Sequence, residues 1–203
     1  MTLDSFRPYV REMIDSIASL LEKLGVDPNS LSVASFVFAV LAGVFFYFRF
    51  LLLAGLMIFL NASSDAMDGA LARHIGTADL RGDFLDHVID RYADIFIICG
   101  IFFGGYAPWQ IGVAAITGVL LTSYLGTQAQ AVHVGRYYGG ILGRADRLVV
   151  ILVATIANFA YPLEVYWLPI LGWMLLAIAI TSHFTAIQRF VYVWQELSNL
   201  EKS

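Results

Sequence analysis

The sequence predicts an all-α integral membrane protein, with six transmembrane helices preceded by an N-terminal interfacial amphipathic helix. Three observations predict it. Of the 203 residues, 59% are hydrophobic and 14% charged, with a mean hydropathy of +0.74. A soluble domain carries about a quarter charged residues, so here lipid has to cover surface that water would not. Apolar stretches near the roughly 20 residues needed to cross a bilayer recur along the chain. Finally, with the N-terminus inside, eleven of the twelve Lys and Arg residues fall on the cytoplasmic side or half, and Arg49 alone on the other. The net charge of −4 excludes a nucleic-acid binder, which carries a basic stripe. A single cysteine, Cys99, excludes an intrachain disulfide.

Residues 3–24 place Phe6, Val10, Ile14, Ile17, Leu20 and Leu21 at helical spacing. Arg7, Arg11, Glu12, Asp15, Glu22 and Lys23 fall mostly between them. This is the pattern of a helix lying in the membrane interface. Gly25 stops it, and Asp27-Pro28-Asn29-Ser30 supplies a turn and an N-cap. Leu31–Phe48 is one charge-free span. Phe50–Ser64 begins a second, which continues past Asp65 and Asp68 toward Arg73. A third runs from Gly82 to Phe103 with its charges bunched in the first half, and Gly104-Gly105-Tyr106-Ala107-Pro108 breaks the chain. Trp109–Val134, Leu148–Pro162 and Val165–Trp194 are the fourth, fifth and sixth. Six crossings put both termini on the cytoplasmic side. With no repeat or long linker, residues 1–203 form one domain: the interfacial helix at 3–24, then a six-helix bundle over 28–195. Trp109, Tyr106, Tyr161 and Trp167 read as an aromatic belt. Gly100 and Gly104, four apart, suit close approach of two membrane helices at a seam between two copies of the chain.

Charges inside membrane helices are costly and mark function. The second helix carries Asp65 and Asp68, three apart; the third carries Asp86 and Asp90, four apart. Each pair lies on one helix face, and the short turn between the helices makes them antiparallel neighbours. Four carboxylates converging on one cavity repel unless cations neutralise them. Oxygen donors suit Mg²⁺ or Mn²⁺, and two such ions about 4 Å apart clamp phosphoryl groups. Gly69 and Gly82 let a nucleotide approach the backbone, and Arg73 is placed to meet a diphosphate. His74, His87, His133 and His183 lack paired spacing and are not taken as ligands. Two other readings stand beside this one. One is a metal-ion transporter with carboxylates along its path. The other is a structural membrane protein whose acids pair with Arg73, Arg81 and Arg91.

The spacing decides between them. Residues 65–90 read Asp65-x2-Asp68-Gly69-x2-Ala72-Arg73-x8-Gly82-x3-Asp86-x3-Asp90, a pattern expected by chance on the order of once in 10⁹–10¹⁰ starting positions. It resembles the signature of the CDP-alcohol phosphotransferases at every fixed position. The resemblance implies six transmembrane helices in a homodimer with the active site near the cytoplasmic face. It implies that Asp65, Asp68, Asp86 and Asp90 hold two metal ions, with Asp90 also the general base, and that Gly69, Arg73 and the neighbourhood of Gly82 receive the CDP group. Asp68 is counted with these CDP contacts as well. Pro28-Asn29-Ser30-Leu31-Ser32 is similar to the family's Pro-[Asn/Asp]-x-x-Thr opening of the first helix, which adds Asn29 and Ser32 to the CDP-lipid contacts; Asp79 falls where relatives often carry a threonine or serine contact. The implied reaction is attack of an acceptor hydroxyl on the β-phosphorus of CDP-diacylglycerol or CDP-archaeol, with release of CMP, at a multi-pass protein of the cell membrane.

Three further stretches resemble the phosphatidylinositol-phosphate and archaetidylinositol-phosphate synthases: Ser123-Tyr124-Leu125, Gly143-Arg144-Ala145-Asp146-Arg147-Leu148 and Thr185-Ala186-Ile187-Gln188-Arg189. That resemblance implies that Arg144, Arg147 and Arg189 form a cationic pocket for the phosphate of inositol phosphate, a task that suits the planar guanidinium. Where relatives carry Lys-x-Arg after Ser-Tyr-x, this chain has Gly126 and Gln128, so glycerol 3-phosphate or another polar alcohol stays open as the acceptor.

Overall fold

The computed structural model describes residues 16–77, 80–135, 137 and 139–200. All long elements among them are helices: α1 (Pro28–Tyr47), α2 (Leu51–His74), α3 (Leu80–Phe103), α4 (Trp109–Ala131), α5 (Arg144–Ala160) and α6 (Ile170–Leu200). Residues 16–23 are helical as well; the remainder of the amphipathic stretch, 3–15, lies outside the described residues. By length and composition α1, α2, α4 and α6 are able to cross a membrane. The other two depart for visible reasons. Six charged residues, from Arg81 to Asp94, sit in the first two thirds of α3. At 17 residues, α5 rises about 25 Å.

Helix ends differ from expectation where side chains or turns redirect the backbone. Asp27 caps α1 through its extended backbone (φ −84°, ψ 133°) but makes no side-chain cap bond; Pro28 at the first helical position starts the helix with its fixed φ. Arg144 opens α5 four residues before the predicted Leu148, because the Asp146 carboxylate accepts the Gly143 N–H (3.1 Å) and closes the first turn. Ile170 opens α6 five residues after the predicted Val165. Val165 and Leu168 close a tight turn (N–H to carbonyl 2.9 Å) around Tyr166, whose φ is +64°, and Pro169 follows.

The helix pairs in most extensive contact are α1 with α2, α4 with α6, and α1 with α3. Phe46, Ile58, Leu71, Ile97, Ile101, Leu171, Leu175 and Ile178 are fully buried between the helices. Leu52, Leu56 and Phe59 of α2, Val153, Ile156 and Phe159 of α5, and Ile180, Phe184 and Ile187 of α6 stand exposed on the outside. In water that surface would drive aggregation; in a bilayer it is the lipid-facing wall, and the chain is a multi-pass membrane protein. Lipid offers no hydrophobic drive for helices to associate, so close packing has to hold them. The tightest packing is between α1 and α3. A side chain at Gly100 would overlap the Gly43 backbone, one at Gly43 the Phe96 carbonyl, and one at Gly104 the Phe46 carbonyl. The Gly100–Gly104 spacing therefore serves a seam inside the chain, which corrects its assignment to a contact between copies. At the end of the bundle away from the acids, Arg49 takes a left-handed φ of +62°. Its Nε donates to the Gly104 carbonyl (2.8 Å), and its guanidinium lies 5.9 Å from the centre of the Tyr106 ring. This ties the α1–α2 turn to the α3–α4 turn.

Candidate active site

The C-terminal turns of α2 and the N-terminal turns of α3 carry the acids. Between them the chain reverses at Gly76, whose φ of +70° is the left-handed conformation that glycine adopts without strain. The reversal brings one carboxylate oxygen from each of Asp65, Asp68 and Asp86 within 4.8 Å of the others. Three hard oxygen donors at that separation fit a divalent cation such as Mg²⁺ or Mn²⁺, and offer no soft ligand that would favour another metal. Asp68 is buried and oriented by Ser32 of α1, whose hydroxyl donates to Asp68 Oδ2 (2.7 Å). That contact continues inward as a ladder: Ser35 Oγ donates to the Ser32 carbonyl (2.8 Å) and Asn61 Nδ2 to the Ser35 carbonyl (2.8 Å). The ladder fixes the register of α1 on α2, so a buried asparagine deep in the bundle supports the carboxylate at its end.

Asp90, the fourth predicted ligand, stands outside this triangle. Two guanidiniums hold it instead. Arg91 Nη1 meets Asp90 Oδ2 at 3.2 Å, and Arg144 Nη1 meets Asp90 Oδ1 at 2.7 Å. The same Arg144 nitrogen is 2.6 Å from Asp65 Oδ1. Arg144 therefore bridges the two acids from the first turn of α5. Its remaining donors, Nε and Nη2, are buried and meet no hydrogen-bond partner among the described residues.

Beside the acids a cleft of about 380 Å³ opens between the start of α1, the end of α2 and the start of α3. Asn29, Ser32, Asp68, Gly69, Arg73 and Gly82 all line it, so six of the seven residues expected to contact a CDP group share one cavity. The seventh, Asp79, lies outside the described residues. Arg73 folds back along α2 over Gly69: a Cβ there would be 3.1 Å from its Nη1. The glycine thus gives the guanidinium a place at the cleft wall. The remaining lining includes Asp27, Thr77 and Asp83, none of which was singled out from the sequence for this role. Asp83 was legible, since it lies three residues before Asp86 and shares its helix face.

The other two expected acceptor-side arginines are engaged elsewhere. Arg147 Nη2 pairs with buried Asp94 (2.8 Å). Arg189 Nε donates to the Gly139 carbonyl (2.9 Å) and Nη1 to the Thr122 carbonyl (2.6 Å), stapling Gly139 to α4 and α6. Gly126 makes this possible, because a Cβ at 126 would overlap Arg189 Nη1. Tyr137 stacked on Tyr192 (4.0 Å between centroids) and the Ile141 N–H to Thr185 Oγ1 bond (3.2 Å) complete the staple. Arg91, which the sequence offered only as an ion-pair partner in the structural reading, does pair with Asp90 and links it to α4 by donating from Nε to Ser123 Oγ. Nothing in the spacing signals that partner, because it depends on how α3 packs on α4.

With this geometry in place, known proteins give it context. A family model described as CDP-alcohol phosphatidyltransferase matches residues 26–181. The archaetidylinositol phosphate synthase of Pyrococcus horikoshii is 36% identical over 172 residues, covering 85% of this chain and 91% of that protein. The enzyme of the same name from Methanothermobacter thermautotrophicus is 30% identical, covering 96% and 95%. Among solved structures, the fold matches Mycobacterium tuberculosis phosphatidylinositol phosphate synthase with CDP-DAG bound, at a TM-score of 0.76 and 23% identity over 90% of this chain and 94% of that one. A second structure of that protein, in complex with manganese and citrate, matches with the same TM-score and identity, over 89% and 88%.

Proposed function

The chain belongs to the CDP-alcohol phosphatidyltransferase family, and from that premise we propose that it moves the phosphatidyl or archaetidyl group of a CDP-linked lipid onto inositol phosphate, releasing CMP. Membership sets aside the transporter and purely structural readings. The observation that carries the proposal is the junction of two features. The carboxylate triangle opens onto the cleft lined by Asn29, Ser32, Gly69, Arg73 and Gly82. Against it stands Arg144, with two buried nitrogens that lack an acceptor among the described residues. One wall suits a diphosphate and the other a phosphate monoester. The names of the two archaeal relatives support the same acceptor.

Asp65, Asp68, Asp86 and Asp90 would hold two divalent cations, Mg²⁺ or Mn²⁺, which would supply charge stabilisation to the diphosphate and to departing CMP. The rest falls to side chains. Arg73 meets the diphosphate with charge-assisted hydrogen bonds. Asp90 takes the proton of the acceptor hydroxyl as its oxygen bonds to the β-phosphorus, and the bridging P–O bond breaks with its electron pair going to CMP. Ser32 keeps Asp68 aimed. The lipid tails stay in the bilayer while the soluble acceptor enters from the cytoplasm, and the Lys and Arg bias supports a site and both termini on that side. Residues 1–203 act as one domain, six crossings behind the interfacial helix at 3–24, within a homodimer.

The purified protein tests this with CMP release against inositol phosphate, glycerol 3-phosphate, serine and free inositol. Release is expected with inositol phosphate, is expected to stop on chelation and to return with Mg²⁺ or Mn²⁺. Release with glycerol 3-phosphate alone would move the acceptor and leave the reaction class standing. Ser32→Ala removes the hydrogen bond that aims Asp68, and outer hydrogen bonds of this kind are typically worth 10–100-fold in metal affinity. A drop of about that size is expected in a Mn²⁺ titration of the metal-free protein.

A further inference from the structure

Arg144 makes an unusual contact. A single nitrogen, Nη1, stands 2.6 Å from Asp65 Oδ1 and 2.7 Å from Asp90 Oδ1. One positive centre joining two carboxylates from different helices is the arrangement a bridging cation makes. The contact is also incomplete. Nε and Nη2 of the same guanidinium are buried with no partner among the described residues, and Asp90 Oδ1 accepts no aligned hydrogen bond. A buried guanidinium with three idle N–H bonds on two nitrogens bears their desolvation cost without return. The position neutralises Asp65 and Asp90 but does not satisfy the arginine.

Neighbouring cations are not in the same position. Arg147 is committed to Asp94, and Arg189 to two backbone carbonyls. Arg91 contacts Asp90 through the other carboxylate oxygen and anchors on Ser123. Among the described arginines, Arg144 bridges two of the carboxylates that the metal reading needs. It does so from the first turn of α5, just after Gly143, and its Nε and Nη2 hold to nothing else among the described residues. The Asp65–Asp68–Asp86 oxygens converge within 4.8 Å without Asp90, whereas a cation held by Asp65 and Asp90 together would compete with Nη1 for Asp65 Oδ1 and Asp90 Oδ1.

We propose that Arg144 is a placeholder cation: it occupies the position between Asp65 and Asp90 until a second divalent ion displaces it, and the displaced guanidinium then serves the phosphate of the acceptor. The proposal rests on the reading of the acceptor as a phosphorylated alcohol. Its consequence is reciprocal coupling. Whatever binds the released guanidinium favours the second metal, and the second metal favours whatever binds the guanidinium, by the same factor.

Binding measurements test this without turnover. The full-length protein is purified in detergent and stripped of metal, and Mn²⁺ is titrated with free ion read by electron paramagnetic resonance. Wild type is expected to show a tight and a weak class of site. Arg144→Gln is expected to tighten the weak class roughly tenfold, within the usual range of such couplings. In wild type, inositol phosphate is expected to tighten it similarly; in Arg144→Gln that gain is expected to vanish. Arg144→Lys keeps the charge and loses the fork. It is expected to fall between the two, and carries the same comparison if the glutamine variant does not fold. A weak class unchanged or weakened in both variants overturns the proposal, since the guanidinium would then be supporting the metal. Tightening in the variants with no effect of any phosphorylated alcohol on wild type overturns the handover. Coupling to glycerol 3-phosphate instead of inositol phosphate upholds the exchange and corrects the acceptor named above.

Discussion

Asp90→Asn is expected to lower the rate of CMP release by about 10²–10⁴-fold, the range that a positioned general base contributes. The change is nearly isosteric, so the effect should be chemical. Asparagine cannot take the proton of the attacking hydroxyl, and it contributes no negative charge to metal binding. Asp90 is not among the three converging carboxylates and does not line the adjoining cleft. The variant should therefore still bind a CDP-linked lipid with near-native affinity, and the comparison of equilibrium binding with single-turnover rate checks this. Equal losses in binding and in rate would mean that Asp90 holds the site together and does not act as the base. The two guanidiniums on Asp90 lose their counter-charge in this variant, but Arg144 keeps Asp65, which limits the cost to the fold.

Gly100→Val is expected to be the most destabilising single change outside the site. The Gly100 Cβ position is already filled by the backbone of Gly43. A flexible side chain could yield, but a helix backbone cannot without shifting the helix. Overpacking of this kind typically costs 1–3 kcal/mol where side chains can adjust; against backbone the upper end, about 3 kcal/mol or more, is expected. A thermal melt in detergent should fall by many degrees, and activity should be lost through unfolding with no change of acceptor preference. Near-native melting would mean that α1 and α3 separate more easily than their contact implies.

What the sequence made legible, and what it hid, follows from how local each feature is. Asp65, Asp68, Asp86 and Asp90 stand out because charge in an apolar helix has few structural uses, and their three- and four-residue spacings alone put them on shared faces. The CDP cleft was legible for a related reason: Gly69, Arg73 and Gly82 lie in the same 26-residue stretch as the acids, and one helical hairpin brings them together. Residues whose roles depend on distant packing were not legible. Arg189 reads as a cation awaiting a ligand until the Thr122 and Gly139 carbonyls are seen around it. The loss of a cation at Gly126 reads as weakened phosphate binding, whereas the glycine is the notch that admits Arg189. Asp94 extends the acids of its helix four residues after Asp90, but no spacing shows its role, because its partner Arg147 is 53 residues away. The start of α5 was placed late because a polar turn closed by Asp146 resembles a loop in one dimension.

Arg49 sits at the end of the bundle away from the acids, yet it would bear on how a lipid reaches the cleft. By pinning the α1–α2 turn to the Gly104 carbonyl and lying against Tyr106, it makes that end a pivot. Any rocking of α1 against α3 then sweeps its widest arc at the opposite end, where Ser32 faces Asp68. Such a bundle would work like a clothes-peg, with its spring at the Arg49 end and its jaws at the acids. A headgroup whose tails never leave the bilayer would pass sideways between those jaws.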